Sequence, residues 1–178
     1  MEYLVRGNDW HDLKEFLAAP YRDWSARYPG RRAFGYLCTY APLEMLHAAG
    51  LTPLRLIQLP GTMALADAHL PSFSCALARA VTERMLRKEL DFLEGVLFAH
   101  TCDTMQCLAD IWRMATPDFR VITFSLPTVL NSPAAFSYLV EELRHLAMVL
   151  ESEFGLPVVQ DALRASIAAY NEQRRLLS

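Results

Sequence analysis

The chain alternates between short apolar stretches and longer amphipathic ones. Four short stretches are rich in apolar, β-branched and aromatic residues and are bounded by turn residues, which predicts buried β-strands. These predicted strands span residues 31–38, 54–59, 95–100 and 119–124. The longer stretches carry apolar residues at helical spacing, which predicts helices that bury one face. The predicted helices span residues 9–19, a second piece to 28, 43–49, a segment from 74, and then 103–117, 132–155 and 158–177.

Helical phase also predicts which side chains face the core. In the helix that starts at residue 74, Val81 and Met85 fall on the apolar side, whereas Glu83 falls on the opposite, solvated side. In the helix from residue 132, the apolar side begins at Phe136 and continues to Leu150. We therefore expect Glu83 to be exposed and Phe136 to be buried.

The order of these elements predicts the fold. Strands that alternate with helices of ten or more residues form parallel sheets joined by right-handed crossovers. We predict a three-layer α/β fold with a mostly parallel, Rossmann-like or flavodoxin-like sheet of about four strands and helices on both faces. Residues 1–30 are a predicted N-terminal helical segment, and residues 31–178 are the predicted α/β domain.

Composition narrows the range of partners and compartments. The chain has 178 residues, is 53% hydrophobic and carries a formal net charge of -3. It has no block of like charge, which argues against binding to nucleic acid or an anionic membrane. It also lacks a signal peptide and an apolar run of about 18 residues, so we expect a cytoplasmic protein that does not cross a membrane. In that compartment the four cysteines should stay reduced.

Three cysteines fall where a parallel sheet forms its binding crevice, beyond the carboxyl ends of the strands. Cys38 closes the first predicted strand, Cys102 follows the third, and Cys75 stands at the start of the helix after the second. Helix N-termini favour thiolate over thiol, and a thiolate binds soft metals or iron-sulfur clusters. The alternative is that these cysteines are small buried apolar residues. Cys107 points away from Cys102 on the same helix, so we expect it to pack in the core.

Few other side chains are candidates for chemistry at this edge. His100 lies two residues before Cys102 and is either a hydrogen-bond donor to a bound group or an ordinary core histidine. Thr39 and Glu44 follow the first strand and could face the crevice. The chain has no nucleophile elbow, phosphate-binding glycine loop or catalytic-triad signature.

Several short segments, taken in order, resemble one enzyme family. They are GYLCTYAPLE at 35–44, AAG at 48–50, LPSFSC at 70–75, LEGVLF at 93–98, TCD at 101–103, DIW at 110–112 and YNEQR at 170–174. Their order and spacing resemble the 2-hydroxyacyl-CoA dehydratase and benzoyl-CoA reductase family of iron-sulfur enzymes.

The resemblance implies a [4Fe-4S] cluster held by three cysteines with one iron open. Cys75 and Cys102 match the family's ligands, Cys38 matches a cysteine that lines the substrate side, and the third ligand is not identified in this chain. It also implies an acyl-CoA substrate, a second subunit of the same family, and an ATP-dependent activator protein with its own iron-sulfur cluster. That activator supplies one electron, and the resulting ketyl radical anion expels the hydroxyl group.

The length departs from the family pattern. Family subunits are about twice as long, and their second α/β domain, which supplies the third cysteine, has no counterpart in these 178 residues. We therefore expect no activity from this chain alone. Two alternatives stay open, a non-catalytic interaction domain that keeps the fold without a cluster, and a double-cubane-type reductase of small molecules.

Overall fold

The computed structural model describes residue 21 and residues 23–58 and 61–178. The first predicted helix, at 9–19, lies outside these residues. The described elements, in chain order, are α1 (Trp24–Arg27), β1 (Ala33–Leu37), α2 (Leu43–Ala48), β2 (Thr52–Arg55), a 3-10 turn (Ala66–Ala68), α3 (Ala76–Leu86), β3 (Gly95–Ala99), α4 (Asp103–Ala115), β4 (Val121–Phe124), α5 (Pro133–Phe154) and α6 (Gln160–Leu177).

The four strands form one sheet in the order β2-β1-β3-β4, and all three pairings are parallel. This confirms the predicted α/β class and the predicted number of strands. The chain moves outward from β1 to β2, returns across the sheet to β3, and then continues to β4. The winding direction therefore reverses between the central strands β1 and β3.

Two hydrophobic cores lie on opposite faces of the sheet. One contains α3 and α4, and its centre is Trp112, which packs edge-to-face on Phe98 with ring centroids 5.2 Å apart. The other contains α2 and α5, and there Phe34 of β1 meets Phe154 at 5.4 Å. Successive residues of a strand pack into opposite cores, because side chains alternate between the two faces of a sheet. The arrangement confirms that helices cover both faces.

Strand β2 begins earlier than predicted. It covers Thr52–Arg55, whereas the prediction placed it at residues 54–59. The backbone N–H of Thr52 donates to the carbonyl of Arg32, and that of Leu56 donates to the carbonyl of Tyr36 in β1. Because alternate residues of β2 pair with β1, the backbone nitrogen of Pro53 points away from β1, to the outer side of the sheet. An edge strand tolerates proline there because the missing N–H is not needed for pairing. Leu56 makes the last backbone hydrogen bond of this ladder, and the side chains of Leu56 and Ile57 enter the core that contains α3.

Side chains cover the outer side of β4, at the opposite edge. Arg113 of α4 donates to the carbonyl oxygen of Val121 at 3.2 Å. Glu142 of α5 accepts from the backbone N–H of Ser125 at 3.1 Å. The Val121 carbonyl and the Ser125 N–H both point away from β3, because only alternate residues of β4 bond to β3.

Two predictions about helix faces are wrong. Glu83 is buried, with 4% of its surface exposed, because the loop that precedes α3 folds back over that side of the helix. Phe136 is 75% exposed, because this side of the first turn of α5 lies outside the core that the later residues Leu146 and Leu150 enter. The helix ends are as predicted, with Ser132 capping the N-terminus and Gly155 in the left-handed conformation after the C-terminus. Within the described part of the chain, we find no helix with the length and apolar character needed to cross a membrane.

Candidate functional site

The reversal of winding between β1 and β3 creates a crevice at the carboxyl ends of these strands, which is where open α/β sheets bind ligands. Cys38 follows β1 directly and has φ 62°, a left-handed conformation that turns the chain away from the strand. Cys38 is partly exposed, and Thr39 after it is exposed. Cys102 lies at the end of β3. The structure thus puts Cys38, Thr39 and Cys102 at the same switch point.

Cys75 and Cys102 are the N-cap residues of α3 and α4, and both are exposed. The Cys75 Sγ accepts a hydrogen bond from the backbone N–H of Ala78 at 3.4 Å. The Cys102 Sγ makes no capping bond to its helix. Because the first amides of a helix lack partners within it, both sulfur atoms lie beside free backbone donors.

The two cysteines are at similar heights on neighbouring helices. Helices α3 and α4 pack against each other on one face of the sheet, and Trp112 Nε1 donates to Thr82 Oγ1 at 2.9 Å. At about 1.5 Å per residue, Cys75 lies roughly 10 Å above Thr82 and Cys102 roughly 15 Å above Trp112. Both helices run from the carboxyl edge to the amino edge of the sheet. Counted along the two helix axes from this contact, the two N-caps differ by about one helical turn, and both lie at the carboxyl edge of the sheet.

The donors at this edge fit a metal site in type but not in number. Cysteine sulfur is a donor that soft metals and iron-sulfur clusters accept, so Cys75 and Cys102 suit such a group chemically. The described residues, however, contain no group of three His, Cys, Asp or Glu side chains that could hold a metal ion. A cluster here needs at least one ligand from elsewhere.

His100 is held in place beside the crevice. Its backbone N–H extends the pairing with β4 by donating to the Phe124 carbonyl, and its Nδ1 lies 3.1 Å from Ser125 Oγ. Its Nε2 is buried and has no hydrogen-bond partner among the described residues. The ring is therefore oriented by one nitrogen, while the other stays available to a group that the described residues do not include.

Glu44 is part of a polar cluster that sequence reasoning missed. Helix α6 packs against α2 and ends at the carboxyl edge, where Arg174 forms an ion pair with Glu44. One turn earlier, Tyr170 packs edge-on against His47, and His47 Nδ1 lies 2.9 Å from Ser166 Oγ. In the sequence, the YNEQR segment drew attention to Tyr170 and Arg174, but nothing in it identified Glu44 as the partner of Arg174.

Burial raises the pKa of Tyr170 to about 12, with Tyr36 and Glu44 adding to the effect and Arg174 opposing it. The same cause, burial, raises the pKa of Tyr36. Both phenols therefore stay neutral at ordinary pH. The cluster places two neutral hydroxyl groups and one ion pair next to the turn that carries Thr39.

The prediction for Cys107 is wrong. Its side chain is exposed, although its neighbours Leu108 and Ala109 are buried. An arc of α4 wide enough for Met105, Leu108, Ala109 and Trp112 faces the core, and Cys107 falls outside it. Its exposure makes Cys107 a useful control for the two N-cap cysteines.

Large apolar side chains around the crevice are exposed. Phe73 before α3 is 89% exposed, and Leu130 before α5 is 76% exposed. Tyr40, Val129 and Phe136 are also exposed, and all of them lie in loops or first turns at the carboxyl edge. Where exposed apolar side chains adjoin one another, such a surface usually marks a contact with another protein.

A cavity that the described residues form lies elsewhere. It has a volume of about 770 Å³ and is lined by residues 85–94 of the α3–β3 connection and 115–120 of the α4–β4 connection. Both connections lead into the amino ends of strands. This cavity is therefore at the opposite end of the sheet from the cysteines, and we place the candidate site at the carboxyl edge because the chemically reactive side chains are there.

Known proteins with similar sequences belong to one family. Residues 38–178 match the family model described as 2-hydroxyglutaryl-CoA dehydratase, D-component. The chain is 34% identical to a benzoyl-CoA reductase subunit of Thauera aromatica, over 99% of this chain and 46% of the relative. It is 36% identical to lactoyl-CoA dehydratase subunit beta of Anaerotignum propionicum, over 93% of this chain and 44% of the relative.

A third relative, (R)-2-hydroxyglutaryl-CoA dehydratase subunit beta of Acidaminococcus fermentans, is 28% identical over 91% of this chain and 44% of the relative. The chain thus spans less than half the length of each of these curated relatives. The match to the family model, together with these identities, confirms the resemblance seen in the sequence: the chain belongs to the 2-hydroxyacyl-CoA dehydratase family.

Proposed function

We propose that this chain is the cluster-binding half of a subunit in an enzyme that dehydrates or reduces an acyl-CoA thioester, and that Cys75 and Cys102 are two ligands of its [4Fe-4S] cluster. The observation that carries the proposal is the pair of exposed cysteines at the N-termini of two packed helices, at the switch point of the sheet. The chain's family membership supports the type of cofactor and substrate.

In this proposal the chain supplies two ligands and a further ligand comes from outside the described residues or from a rearranged Cys38. When bound, the cluster supplies low-potential electron transfer and an iron that can accept an oxygen ligand. The chain's own residues bind and orient the acyl-CoA thioester. Thr39 is exposed and has a hydroxyl that can donate to a thioester carbonyl oxygen.

Glu44 has an orienting role in this proposal. Its Oε1 is engaged by the Arg174 guanidinium, so the carboxylate holds α6 against the start of α2. The pair thereby fixes the turn that carries Thr39 and Cys38. We therefore assign Glu44 the role of holding this loop in position.

The proposal includes partners. A second subunit of the same family and an ATP-dependent activator with its own iron-sulfur cluster would meet the chain at the carboxyl edge. Support comes from the exposed apolar side chains there, such as Phe73 and Leu130, and from the relatives, whose names describe them as subunits. Covering this edge would also exclude water from the site.

Anaerobic reconstitution with iron and sulfide tests the ligand assignment. We expect the chain to bind iron and sulfide and to show broad visible charge-transfer absorption. Cys75→Ser and Cys102→Ser should each remove most of the iron, because each removes one of the two thiolates that this chain supplies. Cys107→Ser is the matched control, since this cysteine is also exposed and lies on the helix that Cys102 caps; it should retain the iron.

The ligand assignment fails if the chain stays free of iron or if both serine variants keep it. A colourless, iron-free chain would favour a second candidate function, an interaction domain that keeps the fold without a cluster. The exposed apolar side chains at the carboxyl edge suit that candidate as well. Binding of a partner by the iron-free chain would then be the function to measure.

A further inference from the structure

The loop before α3 folds back onto that helix and is held there by a buried carboxylate. Glu83 Oε2 accepts hydrogen bonds from the backbone N–H groups of Leu65 and Ala66, at 2.7 Å and 2.8 Å. These groups start the 3-10 turn Ala66–Ala68. Glu83 is 4% exposed. A charged group is removed from water only where such bonds compensate it, so the carboxylate and the loop stabilise each other.

Two ion pairs extend this contact. Arg87 Nη2 lies 2.5 Å from Glu83 Oε1, one turn further along α3. Arg79, one turn before Glu83, pairs with Asp67 in the 3-10 turn. Two side chains of α3, Arg79 and Glu83, therefore contact one short stretch of the loop, and Arg87 pairs with Glu83. Burial raises the pKa of Glu83. The hydrogen bonds from Ala66, Arg87 and Leu65 lower it by more than burial raises it, so the pKa lies below its ordinary value.

A continuous series of contacts leads from this turn to Cys75. The backbone N–H of Leu70 donates to the Ala66 carbonyl at 2.9 Å, and the Leu70 side chain is buried in the core. The backbone N–H of Ser74 donates to the Pro71 carbonyl at 3.0 Å. Cys75 follows directly and caps α3. The segment is thus attached to α3 on both sides of residues 71–74.

We propose that Glu83 is a positioning residue for Cys75, and that it acts by holding the 65–75 loop against α3. The inference rests on the proposed function, because it assigns Cys75 as the residue whose position matters. An apolar residue at position 83 could fill the space but could not accept the two loop amides. The loop would then be held by the Asp67 pair and by Leu70 alone.

Hydrogen exchange and a spin label test the proposal in the metal-free, reduced chain of residues 1–178. Glu83→Ala should increase the exchange rate of amides in residues 65–75 by about tenfold, the effect of losing hydrogen bonds to a charged group. A nitroxide on Cys75, with the other three cysteines changed to serine, should become more mobile. Glu83→Gln keeps one acceptor oxygen but loses the pair with Arg87, and should lie between the wild type and Glu83→Ala.

Two controls separate positioning from general destabilisation. A nitroxide on Cys107, which is exposed on α4, should keep its mobility in both Glu83 variants. Glu89→Gln removes a carboxylate that pairs with Arg84 just after α3, and it should leave the loop unchanged. The proposal is overturned if the label on Cys75 moves as in the wild type, or if the labels on Cys75 and Cys107 respond equally.

Iron binding then distinguishes this proposal from the proposed function. In reconstituted protein, Glu83→Ala should speed the loss of iron to a chelator by several-fold, while Glu89→Gln should not. If the wild-type chain binds no iron, the proposed cofactor fails, but the label and exchange measurements still decide whether Glu83 holds the Cys75 loop.

Discussion

At the scale of single residues, Tyr170 has a strongly displaced titration, because it is buried where α6 packs on α2, with Tyr36 and Glu44 nearby. Its raised pKa of about 12 means that the folded chain keeps this proton where an unfolded chain loses it near pH 10. Unfolding then releases the proton. The contribution of Tyr170 to stability is therefore complete below about pH 10 and declines as the pH rises toward 12.

A change at Glu44 should shift this titration. Glu44→Gln removes a negative charge near the phenol, and that loss lowers the pKa of Tyr170. Ultraviolet difference absorbance of tyrosinate measures the shift, and Tyr170→Phe identifies the transition that belongs to this residue. An unchanged transition in Glu44→Gln would contradict the close approach of the two side chains.

Sequence reasoning was most successful for residues at the ends of elements. Cys38 and Cys102 lie at the carboxyl edge as predicted, because each follows the end of a strand closely, and Cys75 lies there because it caps the helix that starts from that edge. It failed for Glu83 and Cys107. The side of a helix that is covered depends on loops and neighbouring helices, and a pattern along one helix does not contain them.

At the scale of elements, the relation between α3 and α4 determines how the two N-cap cysteines face each other. The bond from Trp112 Nε1 to Thr82 Oγ1 joins side chains that are fully buried. Thr82→Val keeps the shape but leaves the indole N–H without an acceptor. We expect a loss of about 1–3 kcal/mol in the free energy of unfolding, measured by urea denaturation.

The matched control is Thr128→Val, which makes the same chemical change in an exposed loop. Its effect should stay within about 0.5 kcal/mol. The variant Thr82→Val combined with Trp112→Phe removes both partners, so it should lose less stability than the two single changes together. Strict additivity would mean that the hydrogen bond has no energetic role.

The elements themselves were largely predictable, and the exception has a physical reason. Ser132 and Gly155 delimit α5 because a serine caps the first amides and a glycine adopts the left-handed turn. Strand β2 was predicted too late because its apolar residues Leu56 and Ile57 resemble a strand. They pack in the core that contains α3, at the end of the ladder and beyond it, and an apolar pattern alone does not show where a strand ends.

At the scale of the whole molecule, the N-cap cysteines, the polar cluster of α6 and the exposed apolar side chains around the crevice all gather at one edge of the sheet. The cavity of about 770 Å³ lies at the opposite edge, and none of these groups lines it. The curated relatives are more than twice as long as the chain. The carboxyl edge is the surface on which the chain presents its N-cap cysteines and exposed apolar side chains together.

The two lateral edges of the sheet are protected, and this can be tested. Pro53→Val restores an N–H on the outer side of β2, and Arg113→Ala uncovers the Val121 carbonyl on the outer side of β4. Both changes should increase light scattering during incubation at elevated temperature, because each offers backbone groups to another strand. Arg144→Ala, which removes an exposed arginine from α5, is the control and should have no such effect.

The proline on β2 and the side chains over β4 also restrict how this molecule can be recognised. Proteins with open strand edges can take up a peptide or a neighbouring subunit as an additional strand. Here that mode of association is disfavoured on both sides, because an outward N–H is missing at Pro53, and at β4 the Val121 carbonyl and the Ser125 N–H are already bonded to side chains. A partner must instead bind the side chains of loops and helices. The specificity of that binding then depends on shape and apolar contact and not on backbone pairing.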